Sequence, residues 1–336
     1  MAYRLKQGES VPDGIKRIVT EEIDSAAEGL QNCGLKDRDA AIHEARKGLK
    51  KIRGALRLVW SELGDTYRNE NSCFRDVGRR LSELRDAQAV LEVFDTVVRR
   101  HQGALRTRAV TALRRGIESA KREKQRSINV IELMQTAIGS LRAARERIAG
   151  WPLQNDGFAA LAPGLKLAYR RGRSALVKAE RNPDPALYHE FRKRAKDHWY
   201  HIRLLESVWT EAQQARESSL HDLETWLGDD HNLVVLCDQV QKDSDRYGVQ
   251  QDIQLFLTLA AQYQKELRKN SVALGHRLYE EKPRQFVRRM EKLWDVWQQD
   301  PKSMRQVQKD RRTPPKKQPG RAPATKVAVE GKATVA

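Results

Sequence analysis

A histidine followed by arginines and lysines at helical spacing occurs twice in this chain of 336 residues. On IHEARKGLKKIRGALRLVW (42–60), an advance of 100° per residue gathers His43, Arg46, Lys47, Lys50, Gly54 and Arg57 into one arc. YHEFRKRAKDHWYHIRLLE (188–206) aligns on it without a gap at an offset of 146. His189, Arg192, Lys193, Lys196, Tyr200 and Arg203 then fall in the same six places. Five of those six positions are identical between the copies, and neither arc contains a carboxylate. Arginine offers phosphate oxygens a bidentate fork, and lysine offers a mobile point charge. Histidine can donate from one ring nitrogen while the protein holds the other, and it titrates near neutrality. Like charges along about 21 Å of helix repel unless acids relieve them, so an arc of this kind costs stability and points to anion binding. Two such arcs facing across a cleft suit a linear, polyphosphate-like anion better than a single phosphate group.

The opposite arc of the first copy holds Ile42, Ala45, Leu49, Ile52, Leu56 and Val59, the 3-4-3-4-3 spacing of a bundle seam. None of its six residues is identical in the second copy (Tyr188, Phe191, Ala195, His198, Ile202, Leu205), as expected of a core that tolerates compensating changes of volume. The offset persists forty residues on. It lays LSELRDAQAV (81–90) over LGDDHNLVVL (227–236), matching Leu81 with Leu227, Arg85 with His231 and Asp86 with Asn232. Prolines are sparse before residue 300, and Leu, Ala, Arg, Glu and Lys recur with apolar spacings of three and four. The pattern predicts an all-α body. Its helices fall near 11–31, 39–63, 69–101, 104–124, 126–149, 158–181, 185–212, 213–230, 232–247, 250–280 and 283–299. Two similar halves, about 1–150 and 151–299, are expected to form a pseudo-two-fold pair of antiparallel bundles.

The chain carries 63 Lys+Arg against 45 Asp+Glu, a net charge of +18. Residues 301–336 hold ten Lys/Arg, two acids, five prolines and no aromatic residue, and account for +8 of that total. Such a segment cannot bury enough apolar surface to offset its ordering entropy, so 300–336 is expected to be a disordered basic tail. The body, 1–299, is basic in its own right. No run of 18 uncharged apolar residues exists to span a membrane. Met1–Lys16 carries charges and Pro12 where a signal peptide needs an apolar stretch, and Cys33, Cys73 and Cys237 form neither a CxxC pair nor an even framework. A cytoplasmic protein is expected.

His189, His198 and His201 could suggest a metal site. His198, however, falls on the apolar seam, and the spacing is not HExxH, so a core histidine with satisfied hydrogen bonds is the better reading. No Gly-rich phosphate loop, GxSxG or GxGxxG is present, and the reading is of a non-enzymatic protein without cofactor or metal. Asp86, Asp229 and Asp230 are expected to orient basic side chains or cap helices. Trp60, Trp209, Trp226 and Trp294 are expected in seams and at helix ends rather than as base-stacking platforms. Nucleic-acid binding is the alternative reading of the charge, supported by the tail with its PPKK, but no helix-turn-helix, zinc-finger or RNP signature occurs. An acidic protein partner is a third.

At HEARKGLKKIR and HEFRKRAKDHW the chain resembles the conserved histidine α-helical domain (CHAD) family, whose signature is a histidine followed by Arg/Lys at helical spacing, in two copies. LSELRDAQAV and LGDDHNLVVL resemble that family's second recurring element, and LYEEKPRQFVRRMEKLW (278–294) its closing helix. The resemblance covers residues 1 to 299. It implies two four-helix bundles related by pseudo-symmetry around a basic central cavity, inorganic polyphosphate as ligand, and association with polyphosphate granules. It implies contacts from His43, Arg46, Lys47, Lys50, Arg53 and Arg57, with His189, Arg192, Lys193, Lys196 and Arg203. The second companion departs from the family pattern with His231 and Asn232 where the first has Arg85 and Asp86. The ExExK strand of a fused triphosphate-processing domain does not occur, so that activity is not implied.

Overall fold

Residues 3–84, 86–126 and 129–300 are described by the computed structural model, and among them every regular element is helical. In chain order these are α1 (Val11–Asn32), α2 (Arg38–Leu58), the single turn α3 (Trp60–Leu63), α4 (Asp65–Arg80), α5 (Asp86–Arg100), α6 (Thr107–Arg126), α7 (Val130–Arg147), α8 (Ala162–Arg181), α9 (Pro185–Leu204), α10 (Thr210–Lys242), α11 (Gln250–Leu278) and α12 (Pro283–Gln299). Several starts are written locally. Ser10 caps α1 by accepting from the Asp13 amide, with Pro12 in the first turn. Asp184 caps α9 by accepting from the Ala186 amide, with Pro185 behind it. Asn129 accepts from the Glu132 amide at the start of α7. No helix among the described residues is long and apolar enough to cross a membrane.

Both predicted seams are core. Ile42, Ala45, Leu49, Ile52 and Leu56 on α2 and Val59 just beyond its end are buried, and so are Tyr188, Phe191, Ala195, His198, Ile202 and Leu205 at the matching positions of the second copy. α1, α2, α4 and α7 pack together, and α8 packs on α9 and α12. α2 also crosses α9 and α8, which fuses these layers into one core. Gly164 permits the α2–α8 crossing, since a Cβ there would lie 2.0 Å from the Leu58 carbonyl oxygen. A second core forms where α5 and α6 meet the far ends of α10 and α11, around Phe94, Leu113, Leu236 and Phe256.

The helix expected at 69–101 is two helices separated by a 3-10 turn at Leu81–Leu84, whereas those expected at 213–230 and 232–247 are one. α10 runs 33 residues, about 50 Å, through Asp229–Asp230–His231. Its first half puts Leu220, Leu223 and Leu227 into the first core, and its second half puts Leu233, Leu236 and Val240 into the second. Each core therefore draws on both sides of residue 150, and the cores do not divide at the boundary expected from the repeat. The expected tail, 301–336, lies outside the described residues. Trp294 is buried as expected, whereas Trp60 and Trp209 are 39% and 52% exposed, because both sit at helix junctions where the chain leaves the seam.

Candidate functional site

α2 and α9 cross at their own equivalent positions, Gly54 and Tyr200. A Cβ on Gly54 would fall 2.7 Å from the Tyr200 Cβ, so only glycine allows the contact. The His201 Nε2 lies 3.2 Å from the Gly54 carbonyl oxygen. Tyr3 straps the crossing, donating from its hydroxyl to the Lys51 carbonyl at 2.7 Å and packing edge-on to Tyr200. Gly54 and Tyr200, placed in the polar arcs by angle alone, are thus buried contacts, and the expected open channel is closed at this point.

On the other side of the crossing the two arcs converge. Burial, and after it the like charges of Lys196, Arg46 and Arg192, push the Lys50 ammonium on α2 down to about 7. Burial likewise lowers Lys196, with Arg192 and Arg46 adding to the effect. Arg46, Lys50, Arg192 and Lys196 are therefore one electrostatic group, built from two helices 146 residues apart in sequence. A cavity of about 220 Å³ opens beside it between α2 and α4, lined by Arg46, Lys50, Arg53, Arg75 and Arg79 around Gly78. None of the described residues lining it is an acid. Burial, then Arg57, lowers the Arg53 guanidinium to about 10, and its Nε donates to the Asn71 Oδ1 at 3.1 Å.

The remaining candidates sit around this group. Lys47 and Lys193 are about half exposed and pair one turn back with Glu44 at 3.2 Å and Glu190 at 2.5 Å. Arg57 pairs with Asp197 at 3.1 Å; Arg203 pairs with Glu217 at 3.2 Å and lies over the Tyr3 and Trp199 rings. His43 is partly exposed at the other end, with Nε2 3.8 Å from Glu44. His189 packs against His231 with ring centroids 4.2 Å apart, and burial with Lys193 and Arg192 lowers its pKa. His231 of the second companion element is thereby placed beside the arc. Arg85 and the side chain of Asp86 lie outside the described residues.

Acid-free arcs do not mean an acid-free site. Glu224, from α10, holds Lys196 Nζ at 2.6 Å and Arg192 Nη2 at 3.1 Å. Burial alone would raise its carboxyl, but Lys196 and Arg192 outweigh burial and hold it below its usual value. Glu44, Glu190, Asp197 and Glu217 relieve the outer cations. The expectation of unrelieved repulsion is corrected accordingly: the acids come from neighbouring helices and from the preceding turn, which a single-helix projection leaves out. Glu224, Arg75 and Arg79 were missed for the same reason. Continuing the 146-residue offset three positions before Leu81 would have found Glu224, which falls opposite Gly78.

The metal reading finds no geometry. His198 and His201 are fully buried, and among the described residues no group of three or more His, Cys, Asp or Glu is placed to hold an ion. His198 sits among the Tyr169, Tyr279 and Phe286 rings with neither nitrogen hydrogen-bonded, a buried histidine without the satisfied bonds expected of it. Asp230 orients Arg268 at 2.6 Å, and Asp229 accepts from the Tyr263 hydroxyl at 3.4 Å. Cys33, Cys73 and Cys237 are free thiols.

Residues 23–241 match the CHAD domain. Among solved structures the chain is similar to the CHAD domain from the plant Ricinus communis, at 16% identity and a TM-score of 0.58 over 82% of this chain and 95% of that one. It is also similar to PptA from Streptomyces chartreusis, at 14% identity and a TM-score of 0.56 over 81% and 100%. These two likenesses concern the fold. No curated protein matches by sequence.

Proposed function

This chain belongs to the CHAD domain family, and from that premise we propose that it binds inorganic polyphosphate without catalysis, through the cation group shared by α2 and α9. The observation that carries this reading is the convergence of Arg46, Lys50, Arg192 and Lys196, continued by Arg53, Arg75 and Arg79 along the α2–α4 cavity. Like charges held this closely and partly out of water are costly in the free protein. A linear polyanion offsets that repulsion along its whole length, while a single phosphate group could reach only part of it. Arginine forks and lysine ammonium groups supply the donors, and His43 and His189 flank the group as further ring-nitrogen donors. A protein that works by holding polyphosphate would gather where the polymer does, in cytoplasmic granules.

Replacing His43, Arg46, Lys47 and Lys50 together with alanine is expected to remove most affinity for long-chain polyphosphate while leaving helicity and melting temperature close to the parent's. None of the four is a seam residue. Parental affinity in the folded quadruple variant would show that the site is elsewhere.

A further inference from the structure

The two basic arcs match residue for residue, but their surroundings do not. Across the 146-residue offset Glu224 stands opposite Gly78. In the second copy the Glu224 carboxylate lies between Lys196 Nζ and Arg192 Nη2, at 2.6 and 3.1 Å, with its side chain 12% exposed. From α10 it also attracts Lys50 on α2. In the first copy the same position is a glycine on the wall of the cavity lined by Arg46, Lys50, Arg53, Arg75 and Arg79, and among the described residues a Cβ there would meet only Leu49 Cδ1, at an ordinary 3.8 Å. In the first copy Asp76 pairs with Arg75 at 2.8 Å and leaves anion-sized space beside Arg46 and Lys50, whereas in the second the protein's own carboxylate lies between the two arc cations.

We infer that Glu224 is a resident counter-anion: it occupies the phosphate position of the second arc, so that a polyphosphate chain engages the first arc and its cavity, and reaches Arg192 and Lys196 only by displacing the carboxylate. This deepens, and rests on, the reading of the site as a polyphosphate site. It makes Glu224 a specificity-determining residue. A short anion can fill the α2–α4 cavity alone, whereas a long one brings enough additional phosphates to compete with Glu224 for the second arc. A structural alternative is that Glu224 merely positions Arg192 and Lys196 for the ligand, and the two roles predict opposite signs.

The test titrates the full chain with tripolyphosphate and with long-chain polyphosphate at several salt concentrations, comparing the parent with Glu224→Gln, Gly78→Glu and Arg46→Ala/Lys50→Ala, each checked for parental melting. Glu224→Gln keeps the shape and removes the charge. Removing a like charge from an anion site is expected to tighten long-chain binding by about tenfold. The dependence of log affinity on log salt should also steepen by about one to two phosphate contacts, as Arg192 and Lys196 become available. Tripolyphosphate should gain much less. Gly78→Glu, which builds the same device into the first copy, should weaken both ligands. Glu224→Gln binding long chains no tighter than the parent, with an unchanged salt slope, would overturn the inference while Arg46→Ala/Lys50→Ala still lost affinity. If that double variant bound as the parent does, the polyphosphate site itself would be misplaced. Should the parent bind neither ligand, the proposed function would fall, and Glu224→Gln gaining affinity would still support a masking carboxylate; no gain would overturn that too.

Discussion

Burial and the neighbouring Lys196, Arg46 and Arg192 push the Lys50 ammonium down to about 7, so a bound polyanion would restore a proton that the free site gives up. Internal phosphates of a long polyphosphate stay ionised near neutrality, which leaves the protein as the source of pH dependence. Affinity is expected to fall as pH rises from 6 to 9, with proton uptake on binding above pH 7, and Lys50→Arg should flatten that fall. Calorimetry in buffers of different ionisation enthalpy measures the uptake directly; a flat parental profile would contradict the assignment. Stability runs the other way. The unfolded chain keeps the Lys50 proton to about pH 10, so between pH 7 and 10 this group makes the free fold more stable as pH rises. His201 acts in acid. Burial holds it down to about 4, with Nε2 against the Gly54 carbonyl and Nδ1 buried without a partner. A group whose folded pKa is depressed in its charged form loses stability as pH falls below the unfolded value near 6.5, and by pH 4 this amounts to about 3 kcal/mol. His201→Gln should remove that part of the acid sensitivity of the melting temperature; an unchanged pH profile would show that His201 does not supply it. At this scale the sequence told much, because five cations repeated at fixed spacing are visible in one dimension. Glu224 was not, since a partner twenty-eight residues from Lys196 becomes a neighbour only once α9 and α10 pack.

Helix α2 is the element on which the site depends, and its placement rests on close backbone approaches. The Gly164 Cα faces the carbonyls of Arg57 and Leu58, and a Cβ there would lie 2.0 Å from the Leu58 oxygen, backbone that cannot swing away. Gly164→Ala is expected to destabilise by about 3 kcal/mol, a fall of roughly 5 °C in melting temperature. Gly29→Ala on α1, where nothing lies within 4 Å of the added carbon, should leave stability unchanged or raise it by up to about 1 kcal/mol. Equal melting of the two variants would contradict the close α2–α8 contact. Periodicity read the apolar seams of α2 and α9 without error, because burial of a stripe is a property of one helix. It misread continuity. The turn at Leu81–Leu84 breaks a helix that composition would continue, and α10 passes unbroken through a polar run that resembled an end. Both outcomes are decided by packing: α4 closes on α2 and α7, while α10 is held along its length by two cores.

For the molecule as a whole, the +18 separates into a described body, where cations converge from two helices, and residues 301–336, which carry +8. The fold class was legible in composition and spacing. The arrangement of the cores was not, because the α5–α6 pair meets α10 and α11 across more than a hundred residues, a long-range pairing that no local pattern encodes. Deleting 301–336 is expected to weaken binding of duplex DNA more than binding of polyphosphate, measured by the same titration; equal losses would contradict a body-centred site. The central claim is that the body is organised for a linear phosphate polymer rather than for any polyanion. A competition titration of polyphosphate against duplex DNA at matched phosphate, repeated at several salt concentrations, tests it most directly. Polyphosphate should displace DNA throughout and retain its advantage as salt rises, and DNA displacing polyphosphate, or the two exchanging evenly at every salt concentration, would contradict the claim.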